Sequence, residues 1–497
     1  MIKSLEEGIT FIENIAPEEA VPDPYGAVAA MRFSRTGGDG TVELPARSVL
    51  VAAGTTPNIT YEEEAPGTFQ LDAKKRFFQP HEVETAEDGS VAGLRPAQHG
   101  FFTSYNSNVR LVSFYGDNHP YYACTVVKAM TSAKHGYPQV AKLFARELAA
   151  LDPATQADRD RAWTSLVAAL DDQLVAKVRE VVRLTQTTVE VIACAPAAVR
   201  HFRPGQFFRL QNYETTAVSA GDARLLMEGI ALTGAWVDRD RGLLSLIALE
   251  LGVSSRLCAY LRPGARIVVM GPTGTPTEIP KSQVVLLAGG GLGNAVLFSI
   301  ARALRESNNT VVYFAGYKKG EDLFKREEIE ASTDQIVWST DAGAPIEPHR
   351  PEDVHIRANI VQAVLAYARG ELGQPVVPLD RVDRIIAIGS DRMMAAVKAA
   401  RHGVLKPYLK PTHVGIASIN SPMQCMMKKV CAQCMQRHVD PATGKESIVF
   451  SCSNQDQEMD HVDFVNLAAR LRQTTGQEKL SNLWLAHLLA GITAPHI

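Results

Sequence analysis

Val284–Phe298 reads VVLLAGGGLGNAVLF: an apolar run, a glycine cluster and a second apolar run. The first run is short and continuous, as in a strand buried on both faces, and the second suits a helix that starts at the glycines. Gly289, Gly290, Gly291 and Gly293, with Asn294 opening the helix, leave the amides of the helix start reachable without side-chain obstruction. That arrangement suits a diphosphate. Three strands of the same kind follow, TVVYFAG from Thr310, DQIVWST from Asp334 and DRIIAIGS from Asp383, the last ending at Gly389. Each is followed by a helix-like or charged stretch, so residues 279–412 read as a parallel α/β sheet covered on both faces. At the end of the second strand, Gly316-Tyr317-Lys318-Lys319 admits two readings, a receiver for a ribose 2′-phosphate or an exposed turn.

Working upstream, residues 181–278 carry shorter β-type runs, VVRLTQTTVEVIA, GQFFRLQNY, LLSLIALEL and ARIVVMG, separated by Pro-Gly and Asp/Arg turns. They read as a small β-barrel. Residues 136–180 have apolar positions at helical spacing, with LDPATQADRDR (151–161) as a solvated turn, and form a helical connector. Residues 1–135 read as α/β, with a strand in VELPARSVLVAAG (42–54) and another in VRLVSFYGDNHP (109–120) before a helix. The whole is a multidomain α/β and β protein, which a chain of 497 residues is long enough to build.

Downstream, residues 413–497 hold a cysteine-rich region and C-terminal helices. Cys124, Cys194 and Cys258 stand alone, whereas Cys425, Cys431, Cys434 and Cys452 follow the pattern C-x5-C-x2-C-x17-C. Between the last two, MQRHV and KESIVFS flank the turn-forming DPATG, so a hairpin carries Cys452 back beside the others. Four converging thiolates suit either a [2Fe–2S] cluster or structural zinc. Met423, Met426, Met427 and Met435 nearby are either a water-excluding shell or ordinary core.

Composition narrows the function classes. Apolar residues make up 46% and charged residues 21%, with a formal net charge of −3, so no nucleic-acid partner is implied. The N-terminus lacks a basic segment followed by an apolar one, and no uninterrupted apolar run reaches the roughly 18–20 residues needed to cross a bilayer. A cytoplasmic protein without membrane insertion is the expectation, and there a cysteine cluster points to metal rather than disulfides.

Two resemblances add to this reading. FRPGQFFRL (202–210) resembles the PGQF strand of the ferredoxin–NADP reductase superfamily, and GVSSRLCAYLRPGARIVVMGPTG (252–274) resembles its flavin-diphosphate turn and G-P-x-G exit. With the four cysteines directly behind, the module is similar to the electron-transfer subunit of dihydroorotate dehydrogenase. The resemblance implies FAD on Pro204, Gly205, Gln206, Phe207, Gly252, Ser254, Ser255 and Arg256. It also implies NAD(P)H on the glycines of 289–293, Asn294 and Gly389, and a [2Fe–2S] cluster on the four cysteines. Electrons would pass between nicotinamide, flavin and cluster to a redox partner protein or fused domain in a hetero-oligomer; NADH versus NADPH stays open. The family's arginine-bearing flavin strand falls on MEGIALTG (227–234), which has no arginine, so Arg209 or Arg256 is expected to supply the charge. The rival expectation is a non-catalytic scaffold with structural zinc.

SVLVAAGTTPN (48–58) and VSFYGD (112–117) resemble the trailing part of two-dinucleotide-domain flavoproteins such as the glutamate synthase small subunit, with Asp117 as the FAD-contacting aspartate. The opening strand-GxGxxG-helix unit of those proteins is missing upstream. A fragment of a longer polypeptide, a partner that completes the site, or a structural role would each account for that, and no independent FAD is assigned here.

Overall fold

The computed structural model describes residues 2–25, 27–52, 56–87, 89–108, 110–420 and 427–492. They form two compact units, Met1–Leu151 and Asp152–Ile497. Among the described residues no helix is long and apolar enough to cross a membrane.

In the first unit, β1 (Ile15–Pro22), β2 (Val28–Arg35) and β3 (Thr41–Pro45) make an antiparallel sheet. A second sheet, with β4 (His81–Thr85), β5 (Val91–Pro96), β6 (Phe102–Ser107) and β7 (Arg110–Ser113), has the order β5-β4-β6-β7. Phe78, Phe101, Phe114 and Tyr122 build its core around the buried His119, whose Nε2 lies 2.8 Å from the Gly100 carbonyl. The strand expected over 42–54 stops at Pro45. Ala46 makes one more bond, to Ala29, but β2 runs out there, and Val49, Leu50 and Val51 are exposed. Proline has no N–H to continue a ladder, and without a neighbouring strand the apolar run gains nothing by extending. Residues 53–55, Gly54 among them, lie outside the described residues. The expected solvated turn at 151–161 is shorter than read: Asp152 caps a single turn at Pro153–Thr155, and Gln156–Leu174 is helical.

The second unit opens with a closed barrel. Its strands are β8 (Ala176–Thr185), β9 (Thr188–Cys194), β10 (Phe207–Asn212), β13 (Ile230–Asp238), β14 (Leu243–Leu249) and β15 (Arg266–Thr273), in the order β10-β13-β14-β9-β8-β15. A short ribbon, β11 (Ser219–Ala220) with β12 (Ala223–Arg224), interrupts it. Alternation decides which side chains fill the barrel: Phe208 and Leu210 join its core, while Phe207 joins another cluster.

The sheet that follows contains β16 (Val284–Gly290), β17 (Thr310–Tyr317), β18 (Gln335–Thr340), β19 (Val354–Ile356), β20 (Arg384–Ile388) and β21 (Val414–Ser418), all parallel. The cysteine zone supplies β22 (Met435–Val439) and β23 (Glu446–Phe450), which form the expected hairpin, and β24 (Asp456–Glu458), which adds antiparallel to β21. The sheet order is β19-β18-β17-β16-β20-β21-β24. Val284, Leu286 and Ala288 pack into one core and Val285 and Leu287 into another, so β16 is covered on both faces. This is why its sequence reads as a continuous apolar run rather than an alternating one.

Asp383 ties the foot of β20 to its neighbours. It accepts from the Val284 amide at 3.0 Å and pairs with the Lys410 ammonium. Lys410 first, then the Val284 amide, hold its carboxyl below the usual aspartate range. A folded-state pKa lowered in this way stabilises the protein above the unfolded value of about 3.9, and the contribution disappears as pH falls through the lower folded value. Asp383→Asn is expected to reduce unfolding free energy by about 1–2 kcal/mol at pH 7. In urea titrations the difference from the wild type should shrink progressively as the pH is lowered below the unfolded value of about 3.9.

Candidate functional site

The chain order of the parallel strands runs outward from β16 to β19, then returns to β20 on the other side of β16. A crevice opens at the carboxyl ends of strands where the order reverses, and ligands of such sheets bind there. Gly290 and Gly389 meet at this point: a Cβ on Gly389 would lie 3.3 Å from the Gly290 Cα and 2.8 Å from Met393 Sδ. Gly293 lets the helix Asn294–Glu306 start against β20, since a Cβ there would fall 2.3 Å from the Ile388 carbonyl oxygen. Gly291 takes φ +54° with nothing within 4 Å of a Cβ, so the turn faces open space.

Asn294 is used within the protein. Its Nδ2 donates to the Gly291 and Gly316 carbonyls at 3.0 and 3.1 Å, and its Oδ1 accepts from Tyr313 Oη at 2.6 Å. Gly289 makes room for it, because a Cβ there would lie 1.9 Å from that Oδ1. Asn294 therefore braces the glycine turn, with no hydrogen-bonding group of its side chain left over. Lys318 and Lys319 are both exposed just past the end of β17.

On the barrel, Gly205 has φ +89°, and a Cβ there would lie 2.1 Å from Thr277 Oγ1. Gln206 closes the loop onto itself and onto the barrel exit, accepting from the Arg203 amide at 3.0 Å and donating to the Gly274 carbonyl at 2.9 Å. Pro204 accepts from the Thr277 amide. Gly252 precedes the short helix Val253–Leu257, and Ser255 Oγ exchanges bonds with the Gly252 amide and carbonyl at 3.0 and 3.1 Å. Ser254 Oγ accepts from the Glu228 amide at 2.9 Å, which joins this turn to the run 227–234.

The two arginines proposed for that run part company. Arg256 donates to the carbonyl and side-chain oxygen of Asn482 in the helix Thr475–Leu489, at 3.1 and 3.4 Å. It is committed to the C-terminal helix. Arg209 lies across Gly229, where a Cβ would fall 2.0 Å from its Nε, and donates to Gln211 Oε1 at 2.7 Å. Gly229, the first of the two glycines in MEGIALTG, thus opens the space that Arg209, on β10, fills.

The hairpin brings Cys434 and Cys452 together. The Cys452 amide donates to Cys434 Sγ at 3.4 Å, and the Lys429 amide to Cys452 Sγ at 3.2 Å. Both thiols are buried; Cys431 is half-buried in the preceding loop, and Cys425 lies outside the described residues. The side-chain hydrogen bond with Cys452, followed by burial, pushes the Cys434 thiol up from its ordinary value. Met427, Lys428, Lys429 and Ala432 all have φ between +52° and +63°. Left-handed backbone at non-glycine residues is strained, and such strain concentrates at functional loops. Amide donors aimed at sulfur fit a thiolate-bound metal centre. Among the described residues no three His, Cys, Asp or Glu side chains converge as a metal site.

Phe207 links these parts. It shares one buried cluster with Met427, Cys434 and Cys452. Asp117, in contrast, sits in the first unit, in the turn Gly116–Asn118. Sequence reasoning missed Gln455, the threonines of the barrel exit and the buried pair Glu190–Lys325, whose partners are distant in sequence.

Fold and site define a class of module: a closed barrel, a doubly wound sheet with glycines at its switch point, and a thiol-bearing hairpin packed on the barrel. No protein-family model matches the chain. An uncharacterized protein of Rickettsia prowazekii is 31% identical over 370 residues, 74% of this chain, and this chain spans 41% of its length. The dihydroorotate dehydrogenase B (NAD(+)) electron transfer subunit homolog of Thermotoga maritima is 25% identical over 304 residues, 60% of this chain and 92% of that protein. The corresponding subunit of Geobacillus kaustophilus is 30% identical over 171 residues, 34% of this chain and 63% of its own. Among solved structures, an NADH-dependent reduced ferredoxin–NADP oxidoreductase is similar with a TM-score of 0.49 and 23% identity, over 63% of this chain and 98% of its own.

Proposed function

We propose that the chain passes electrons between NAD(P)H, FAD and a [2Fe–2S] cluster, and from there to a redox partner protein or fused domain. The observation that carries this reading is the shared cluster of Phe207, in the PGQF segment, with Cys434 and Cys452. It sets the thiols directly against the segment whose resemblance implies flavin. When bound, the cofactors supply the chemistry: a hydride from the nicotinamide brings two electrons to the flavin, and the cluster hands them on singly to a one-electron acceptor.

The protein's residues bind, orient and exclude water. Gly289–Gly293 and Gly389 would admit the nucleotide diphosphate at the switch point, beside Met393. Gly252 and the helix start after it would face the flavin diphosphate, and Arg209 would supply the positive charge that MEGIALTG lacks. Cys425, Cys431, Cys434 and Cys452 would hold the cluster. Phe207 packs on the thiols from the barrel, and Met427, in the loop before them, joins the same buried cluster. No side-chain acid or base is needed.

The missing arginine also favours a second reading, a scaffold with zinc on the cysteines. One sample separates the two. Anaerobically purified protein should carry FAD and about two irons per chain, and its visible spectrum should bleach with NADH or NADPH. Cys452→Ser should lose the iron while keeping the flavin. Zinc in place of iron, with no flavin, would refute electron transfer.

A further inference from the structure

Gln455 touches three parts of the second unit. Its side chain is fully buried, and Nε2 donates to the Gly205 carbonyl at 2.9 Å and to the Thr275 carbonyl. Its backbone carbonyl accepts from the Ile419 amide at 2.8 Å, just past the end of β21. Gly274, with φ +83°, makes room for it, since a Cβ there would lie 2.5 Å from Gln455 Oε1 and 3.0 Å from Phe207 Cε1. One residue therefore bonds the PGQF loop, the barrel exit and the residue that follows β21, three positions after Cys452.

Alternate threonines of the exit strengthen the same seam. Thr273 Oγ1 donates to the Cys452 carbonyl at 3.3 Å, Thr275 Oγ1 to the Ser453 carbonyl at 2.6 Å, and Thr277 Oγ1 to Asp456 Oδ2 at 2.5 Å. Thr273 closes β15, and Thr275 and Thr277 follow in the segment beyond it; all three side chains reach the segment that begins at the last cysteine. Hydrophobic contact at Phe207 is non-directional, whereas these bonds fix a distance.

Resting on the electron-transfer reading above, we propose that Gln455 is a positioning residue, with the exit threonines as its auxiliaries. It holds the cysteine hairpin at one spacing from the flavin-bearing PGQF loop and so sets the rate of the flavin-to-cluster step. Two such one-electron steps, delivered through the cluster to two molecules of an added one-electron acceptor such as ferricyanide, account for the two electrons of each nicotinamide hydride, and its proton leaves to solvent.

Two variants of the full chain test this. Gln455→Met keeps the bulk and removes both donors; Thr275→Val removes one bond at an exposed position and serves should the first fail to fold. Both are expected to retain wild-type flavin and iron and to bleach the flavin at the wild-type rate in stopped flow. Cluster bleaching should slow on the order of tenfold in Gln455→Met, the scale of a small misplacement, and less in Thr275→Val. Amide hydrogen exchange over 452–456 should quicken in both, a readout independent of turnover. Wild-type cluster rates in the variants would overturn the proposal, as would an equal slowing of flavin and cluster. A wild-type protein without flavin and iron would instead overturn the electron-transfer reading itself, and this role with it.

Discussion

Lys325→Met is expected to lower the unfolding free energy by about 3–5 kcal/mol, seen as a marked fall in the urea midpoint. Lys325 Nζ lies 2.9 Å from Glu190 Oε2, and Glu190 is 1% exposed. Trp236 Nε1 and Ser245 Oγ donate to its other oxygen at 2.9 and 2.5 Å. Those neutral donors hold the carboxylate in place, but Lys325, which also pairs with Glu328 at 3.3 Å, is the cation that compensates it. Removing the lysine leaves a charge stranded inside the protein. The pair also joins the barrel, through β9, to the residue that precedes the helix Arg326–Ala331. Around it, Ala235 and Ile247 of the barrel share a core with Leu287 and Ala295. The double variant Glu190→Met with Lys325→Met should recover most of the loss, because it removes the buried charge along with its partner. A Lys325→Met midpoint equal to the wild type would show that water reaches Glu190.

Gly293→Ala is the second large effect. A methyl group at this position would sit 2.3 Å from the Ile388 carbonyl oxygen and 3.1 Å from the Gly389 amide nitrogen, both backbone atoms. Neither can swing away as a flexible side chain would, so the helix Asn294–Glu306 must move off β20. Overpacking of this kind costs about 1–3 kcal/mol. The start of that helix and Gly389 are the two walls of the crevice, so nicotinamide binding, measured by isothermal titration, should weaken by about tenfold or more. Gly291→Ala is the control: its Cβ would meet nothing within 4 Å, and only the φ of +54° opposes it. If Gly293→Ala binds NADH and NADPH as the wild type does, the diphosphate does not lie at this turn.

These expectations draw on different depths of information. β16, β17, β18 and β20 were readable because a strand buried on both faces must be continuously apolar, and this rule is local. The hairpin that returns Cys452 to Cys434 was readable for the same reason: DPATG between two β-type runs is a short-range signal, and Asp440 Oδ1 accepts from the Ala442 and Thr443 amides to make the turn. The run 42–54 shows the limit of such rules. Its apolar residues suit a strand, but a strand needs a neighbour, and past the single Ala46–Ala29 bond no described strand pairs with it.

The chain by itself determined the glycine-tipped sheet, the barrel-type runs before it and the spacing of the cysteines, all properties of short segments. Only the tertiary structure decided that Gly290 meets Gly389, that Arg209 occupies the space above Gly229, and that Glu190 is answered by Lys325. It alone seats Gln455 and three threonines along the seam beside Phe207. Those contacts join residues far apart in sequence, and hydrogen bonds and buried charges select partners by distance and direction in space, which no local pattern of residues encodes.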